Sequence, residues 1–145
     1  MSPEIRTYNI NGSFPVVELR EFLMHIPEPF LVVMRRKCVL TKLQIREAYR
    51  RSHIISGRSG RYRKPESVFL ILMSGRAQIS EALAECGISE STESAVAVSD
   101  RKEYFDLLES RFRGNLTRSN EGIPEDDPAL DSVIFPRMTY ISLDL

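Results

Sequence analysis

The apolar residues fall into short periodic runs, and the turn signals between them mark out the elements. Ile5 to Ile10 alternates loosely and stops at Asn11-Gly12, which predicts a strand followed by a turn. Val16, Leu19, Leu23 and Ile26 recur at helical spacing, with Glu18, Arg20 and Glu21 between them, and Pro27 and Pro29 end that helix. Phe30 to Met34 is a β-branched run that reads as a buried strand. Thr41 is placed to cap a helix reaching about Ser52, with Leu43, Ile45 and Ala48 on its apolar side and cations on the other. Ile55 to Lys64, carrying S-G-R-S-G-R-Y-R-K, reads as a loop. Gln78 to Cys86 predicts a helix with Ile79, Ala82, Leu83 and Cys86 on one face and Gly87 as its cap. Ala95 to Val98 reads as a strand. Asp100 is placed to cap a helix from Arg101 to Phe112, with Tyr104, Phe105, Leu108 and Phe112 facing the core and Gly114 beyond its end. Asn115 to Pro128, with Glu125-Asp126-Asp127, is a polar acidic loop, and Ala129 to Leu145 carries apolar residues to the terminus.

One segment admits two readings. Val68 to Met73 has the composition of a buried strand, yet Pro65 and Glu66 suit the first turn of a buried helix. Periodicity does not separate these for so short a run.

A chain of 145 residues with 42% hydrophobic content favours one domain with a real core. No apolar run approaches the roughly 20 residues of a membrane span. Nor does Met1 to Ile10 contain a signal-peptide core. The expectation is a cytoplasmic protein, with no membrane partner. Cys38 and Cys86 stand far apart, and two such cysteines in a cytosolic chain read as reduced, buried, small hydrophobes.

Charge changes the picture, because the chain is neutral only on average. Between Arg35 and Arg76 lie 12 basic residues and two acidic ones, Glu47 and Glu66, so this segment carries +10 and the remainder −10. A patch of this kind, with Tyr49, His53 and Tyr62 among its cations, suits a nucleic-acid backbone and an unstacked base. It suits equally a solvated helix face and a charged connector. Arg58, Arg61, Arg63 and Lys64 are the candidates for phosphate contacts.

Catalytic signatures are missing. There is no Walker-type loop, no G-x-G-x-x-G and no G-x-S-x-G elbow. His25, His53 and the cysteines lack zinc-ligand spacing, and Glu81 with Glu85 reads as an exposed i, i+4 pair. No cofactor or metal is expected, and a binding protein is favoured over an enzyme.

From Met73 the chain reads M-S-G-R-A-Q-I-S-E-A-L-A-E-C-G-I, ending at Ile88. Ser74, Gly75, Ile79, Ala82, Gly87 and Ile88 stand in register with S-G-x-x-x-I-x-x-A-(x)4-G-I. This ordered set resembles the small PRPK-binding (TPRKB-type) regulatory subunit of the KEOPS complex, in its archaeal form. Archaeal members often read S-G-Q-R-Q-I; here Arg76-Ala77 stands in place of Gln-Arg and Gln78 is kept. The resemblance covers about Phe30 to Leu145, and the first 29 residues fit only in pattern.

The resemblance implies an α+β fold in a single domain, with a small, partly antiparallel sheet covered by helices. It implies that Glu66 to Met73 is helical and that Ala129 to Leu145 is largely so, with Pro136 kinking the last helix or limiting its first turn. The implied role is non-catalytic: an adaptor in the synthesis of N6-threonylcarbamoyladenosine on tRNA. Such a subunit binds the kinase/ATPase subunit of the complex and recruits tRNA through its 3′ CCA end. Gly75, Arg76 and Gln78 would lie near the terminal bases. Ile134, Met138, Ile141 and Leu143 would bind the kinase subunit, the first three sharing one side of a helix. The free chain is expected to be monomeric. The alternative is a stand-alone single-stranded RNA-binding domain with no kinase partner. A C-terminal apolar face that stays exposed in the free chain favours the adaptor; a buried one favours the stand-alone binder.

Overall fold

The computed structural model describes residues 2–27 and 30–145. The chain is α+β, with one four-stranded antiparallel sheet and six α-helices among the described residues. It divides into two compact units, residues 1–36 with 87–122 and residues 37–86 with 123–145.

The first unit holds the sheet. β1 (Glu4–Ile10), β2 (Leu31–Arg35), β3 (Ser94–Ser99) and β4 (Leu116–Arg118) lie in the order β2-β3-β1-β4, and every pairing is antiparallel. In register, Thr7 faces Val96 and Val32 faces Val98. One sheet face, with Tyr8, Leu31, Val33, Ala95 and Ala97, packs with Leu19 of α1 (Val16–Met24) and Tyr104, Phe105 and Leu108 of α5 (Lys102–Arg111). The turn after β1 is made by Gly12, whose φ is 71°. The part of the helix-stop expectation that rests on Pro29 lies outside the described residues.

The second unit is helical: α2 (Lys42–Arg58), α3 (Pro65–Ser74), α4 (Ile79–Cys86) and α6 (Pro128–Ser142). The ambiguous segment is α3. Val68 through Met73 are all buried, because a helix that is apolar on every side belongs at the centre of a bundle. That all-round burial erases the period that would have distinguished it from a strand. Pro65 occupies the first turn, and Gly75, at φ 75°, closes the helix in the left-handed region.

Several expectations change. Cys38 and Cys86 are joined as a disulfide, with Cα atoms 5.8 Å apart, and are not reduced thiols. Spacing in the chain carries no information on such a pairing, since the bundle alone brings residues 48 apart together. α2 runs on to Arg58, so Ile55 and Arg58 are helical and the loop shrinks to residues 59–64. The helix continues because Ser52 and Ile55 find buried positions that outweigh the Gly57 propensity cost. β4 interrupts the acidic loop, held by its pairing to β1. The N-cap position of α5 falls at Arg101, whose N–H donates to the Ser99 hydroxyl at 3.1 Å, and not at Asp100. The left-handed glycines are Gly12 and Gly75; Gly87 is not one of them. Leu83 is half exposed, because Ala82 and Cys86 supply the buried face of α4.

Candidate functional site

The basic segment folds mostly into the helical unit, and its electrostatics are decided by where acids are brought to it. α2 begins with a complete cap. The Thr41 hydroxyl accepts from Gln44 N–H at 3.0 Å, Gln44 Oε1 accepts from Leu40 N–H at 2.7 Å, and Lys42 and Leu43 N–H donate to the carbonyls of Pro124 and Glu125. That same strap delivers the Glu125 carboxylate to Lys42 and Arg46. Its hydrogen bond from Arg46, the main cause, and the charge of Lys42 hold Glu125 below the ordinary carboxylate value. One turn further on, Glu47 takes hydrogen bonds from Arg50 and Arg51, which hold it below its ordinary value against the effect of burial. Glu85 pairs Lys37 at 3.8 Å and Arg76 at 3.9 Å.

What remains is a compact run of unpaired cations. Arg58, Arg61, Arg63 and Lys64 are exposed, and none makes an ion pair among the described residues. The loop that carries the last three is not featureless. Ser59 accepts from the N–H groups of both Arg61 and Tyr62 at 3.1 Å, and the Arg61 guanidinium lies 5.2 Å from the centre of the Tyr62 ring. Arg58 closes the last turn of α2, where the helix dipole favours a cation.

Gly75, Arg76 and Gln78 lie at the other end of α3. That helix has ten residues, a length of about 15 Å. The two halves of the expected tRNA-binding set are therefore joined by a rigid spacer and do not form one pocket. Only an extended ligand would touch both.

The apolar C-terminal set is split by burial. Ile134, Met138 and Ile141 are 2%, 0% and 7% exposed, inside their own unit, whereas Leu143 is 78% exposed. α6 is apolar on both sides, and its outer face carries Leu130, Val133 and Tyr140. Sequence reading missed this outer stripe because it gave the partner surface to Ile134, Met138 and Ile141, which are buried. Leu143 lines an open groove of about 350 Å³ with Arg58, Arg50, Arg51, Ile54 and Thr139. Pro136 sits within α6, which continues through it to Ser142.

Two further residues escaped the sequence. Arg51 donates to Thr139 at 2.8 Å, and Arg137 of α6 reaches the carbonyl of Met73. In the sheet unit, Glu109 accepts from Tyr8 at 2.7 Å, from Arg118 at 2.9 Å and from Arg6. Burial, then the hydrogen bond to Glu109, pushes the Tyr8 phenol above its ordinary value. Among the described residues no group of three or more His, Cys, Asp or Glu is placed to hold a metal, and no helix is long and apolar enough to cross a membrane.

No family model matches this chain, and no curated protein matches it. The arrangement defines a helical unit with an uncompensated cationic loop and an apolar outer helix face.

Proposed function

We propose that the chain is a non-catalytic adaptor that recruits tRNA through its 3′ CCA end and binds the kinase/ATPase subunit of a KEOPS-type complex. The observation that carries this reading is the charge left over in the helical unit. Glu125, Glu47 and Glu85 pair with the cations around them, while Arg58 at the end of α2 and Arg61, Arg63 and Lys64 on the loop after it make no ion pair among the described residues. Phosphates complete such a loop, and Tyr62 beside Arg61 gives it a ring for an unstacked base. The order of this loop, the Ser74-Gly75 turn and the apolar last helix agrees with the resemblance read from Met73 to Ile88.

The partner surface differs from the one expected. Ile134, Met138 and Ile141 serve the bundle's own core, so the kinase subunit would meet Leu130, Val133, Tyr140 and Leu143 on the outer face. The same burial favours the second reading, a stand-alone RNA-binding domain. Under either reading the protein works in the cytoplasm, as a monomer when free; intracellular disulfides are known in hyperthermophilic archaea.

The test is a pull-down of the KEOPS kinase subunit, with and without tRNA, beside a binding assay on intact and CCA-trimmed tRNA. Equal binding of the two tRNAs removes the 3′-end role. RNA binding with no capture of the kinase subunit selects the stand-alone domain.

A further inference from the structure

A guanidinium without a charge partner lies across the turn that ends α3. Arg137 comes from α6 and rests against Gly75 so closely that a Cβ there would meet its Cζ and Nε at 2.8 Å and its Nη1 at 3.0 Å. Glycine is favoured at this turn by its φ of 75°, and any side chain there would displace the Arg137 guanidinium. Arg137 is half-buried. Its Nε is buried with no hydrogen-bond partner, and its Nη2 reaches the Met73 carbonyl only at 3.5 Å. It makes no ion pair among the described residues. The other half-buried arginines of this unit are neutralised, Arg46 by Glu125 and Arg51 by Glu47.

A guanidinium has five N–H donors and loses hydration when packed in this way, so an anion is the natural completion of the site. The neighbouring groups point to the same chemistry. Arg76 follows Gly75, is exposed, and is held by Glu85 only at 3.9 Å; its backbone N–H donates to the Ser74 hydroxyl. Gln78 is exposed two residues further on. One turn therefore presents two guanidiniums and an amide, and one of the guanidiniums arrives from outside the basic segment.

We propose that Arg137 is a ligand for a phosphate of the RNA 3′ end at the Gly75–Gln78 turn. This rests on the RNA-binding reading above. Fork-shaped N–H pairs suit phosphate oxygens.

The experiment measures binding of a tRNA acceptor minihelix ending in CCA, at several salt concentrations, with the melting temperature of each variant. Arg137→Met keeps the stem and removes the charge. It should weaken binding about tenfold, the scale of a lost hydrogen bond to a charged group. The salt slope should shrink by about 0.7. Arg137→Lys should recover part of the affinity, and trimming the CCA end should abolish the dependence on residue 137. Unchanged affinity in Arg137→Met, with binding lost in an Arg61→Ala, Arg63→Ala double variant, overturns the assignment and leaves the RNA reading standing. A lower melting temperature with unchanged affinity assigns Arg137 to capping α3 alone and also overturns it. Absence of minihelix binding by the unaltered protein removes the RNA reading itself.

Discussion

Arg58 and Leu143 line the same groove, although one comes from the basic segment and the other from the last helix. The proposed RNA surface and the proposed partner surface are therefore neighbours on the helical unit. Leu143→Arg separates them. It adds a cation beside Arg58, so RNA affinity should rise modestly and the salt slope should steepen by about 0.7. The same change puts a charge on the outer face of α6 and should weaken capture of the kinase subunit at least about tenfold, by desolvation of an unpaired cation. Filter binding across a salt series and a quantitative pull-down on the one variant check both signs.

The two sides of α6 should respond differently to substitution. Met138 is fully buried, and Met138→Ala should destabilise by about 2–5 kcal/mol through lost burial and the cavity left behind. Val133 is 65% exposed, and Val133→Asp should change stability by no more than about 0.5 kcal/mol while reducing kinase-subunit binding. Urea unfolding of both variants is the measurement. A large loss of stability in Val133→Asp would place that side chain in the core.

The elements with a clear period were legible in the sequence. Strand β1 was read from Ile5 to Ile10, α1 from its Val16, Leu19, Leu23 spacing, and the Thr41 cap from residue type alone. α3 was not legible from pattern, because Val68 to Met73 are apolar at every position; the family resemblance supplied the helix. β4 was hidden for the opposite reason, since Leu116 is its single buried residue and pairing to β1 creates the strand. The candidate cations were visible in the composition. Which of them stay unpaired was not, because Glu125 and Glu85 come from 79 and nine residues away from the arginines they reach. Arg137 was invisible for the same reason.

Acid should loosen the sheet unit through Glu109. Burial works against its ionisation, but the hydrogen bonds from Tyr8, Arg118 and Arg6 outweigh it and hold the folded carboxyl below its ordinary value. A group depressed on folding contributes stability above its unfolded value and loses it as pH falls through its folded value. Stability from this source is thus intact at neutral pH and lost at the acid end. Tyr8 has the opposite sign: its raised phenol contributes below the ordinary tyrosine range and loses that contribution as pH climbs through it. As pH falls from neutral to acid, urea midpoints should drop less steeply for Glu109→Gln than for the unaltered protein. Parallel curves would show that the carboxylate carries no linkage.

The disulfide encloses every candidate RNA-binding residue except Arg137, since Arg58, Arg61, Arg63, Lys64, Gly75, Arg76 and Gln78 all lie between Cys38 and Cys86. Closing a loop of this length removes chain entropy from the unfolded state, worth about 4 kcal/mol in the loop-entropy treatment. Cys86 is fully buried at the end of α4, so the bond is shielded from reductant on that side. Cys38 is half-buried, and its sulfur lies 3.7 Å from the Glu85 carbonyl oxygen. The oxidised protein should therefore survive mild dithiol in the folded state and be reduced once unfolded. Cys38→Ser, Cys86→Ser together should lower the melting temperature markedly, and dithiol should have no further effect on that variant. RNA affinity, measured well below the melting transition, should change little, because the cations are positioned by α2 and the Ser59 turn and not by the bond itself. A variant that keeps its melting temperature would show that the bond adds nothing to the bundle. One that stays folded yet loses RNA binding would instead make the disulfide part of the site's own geometry.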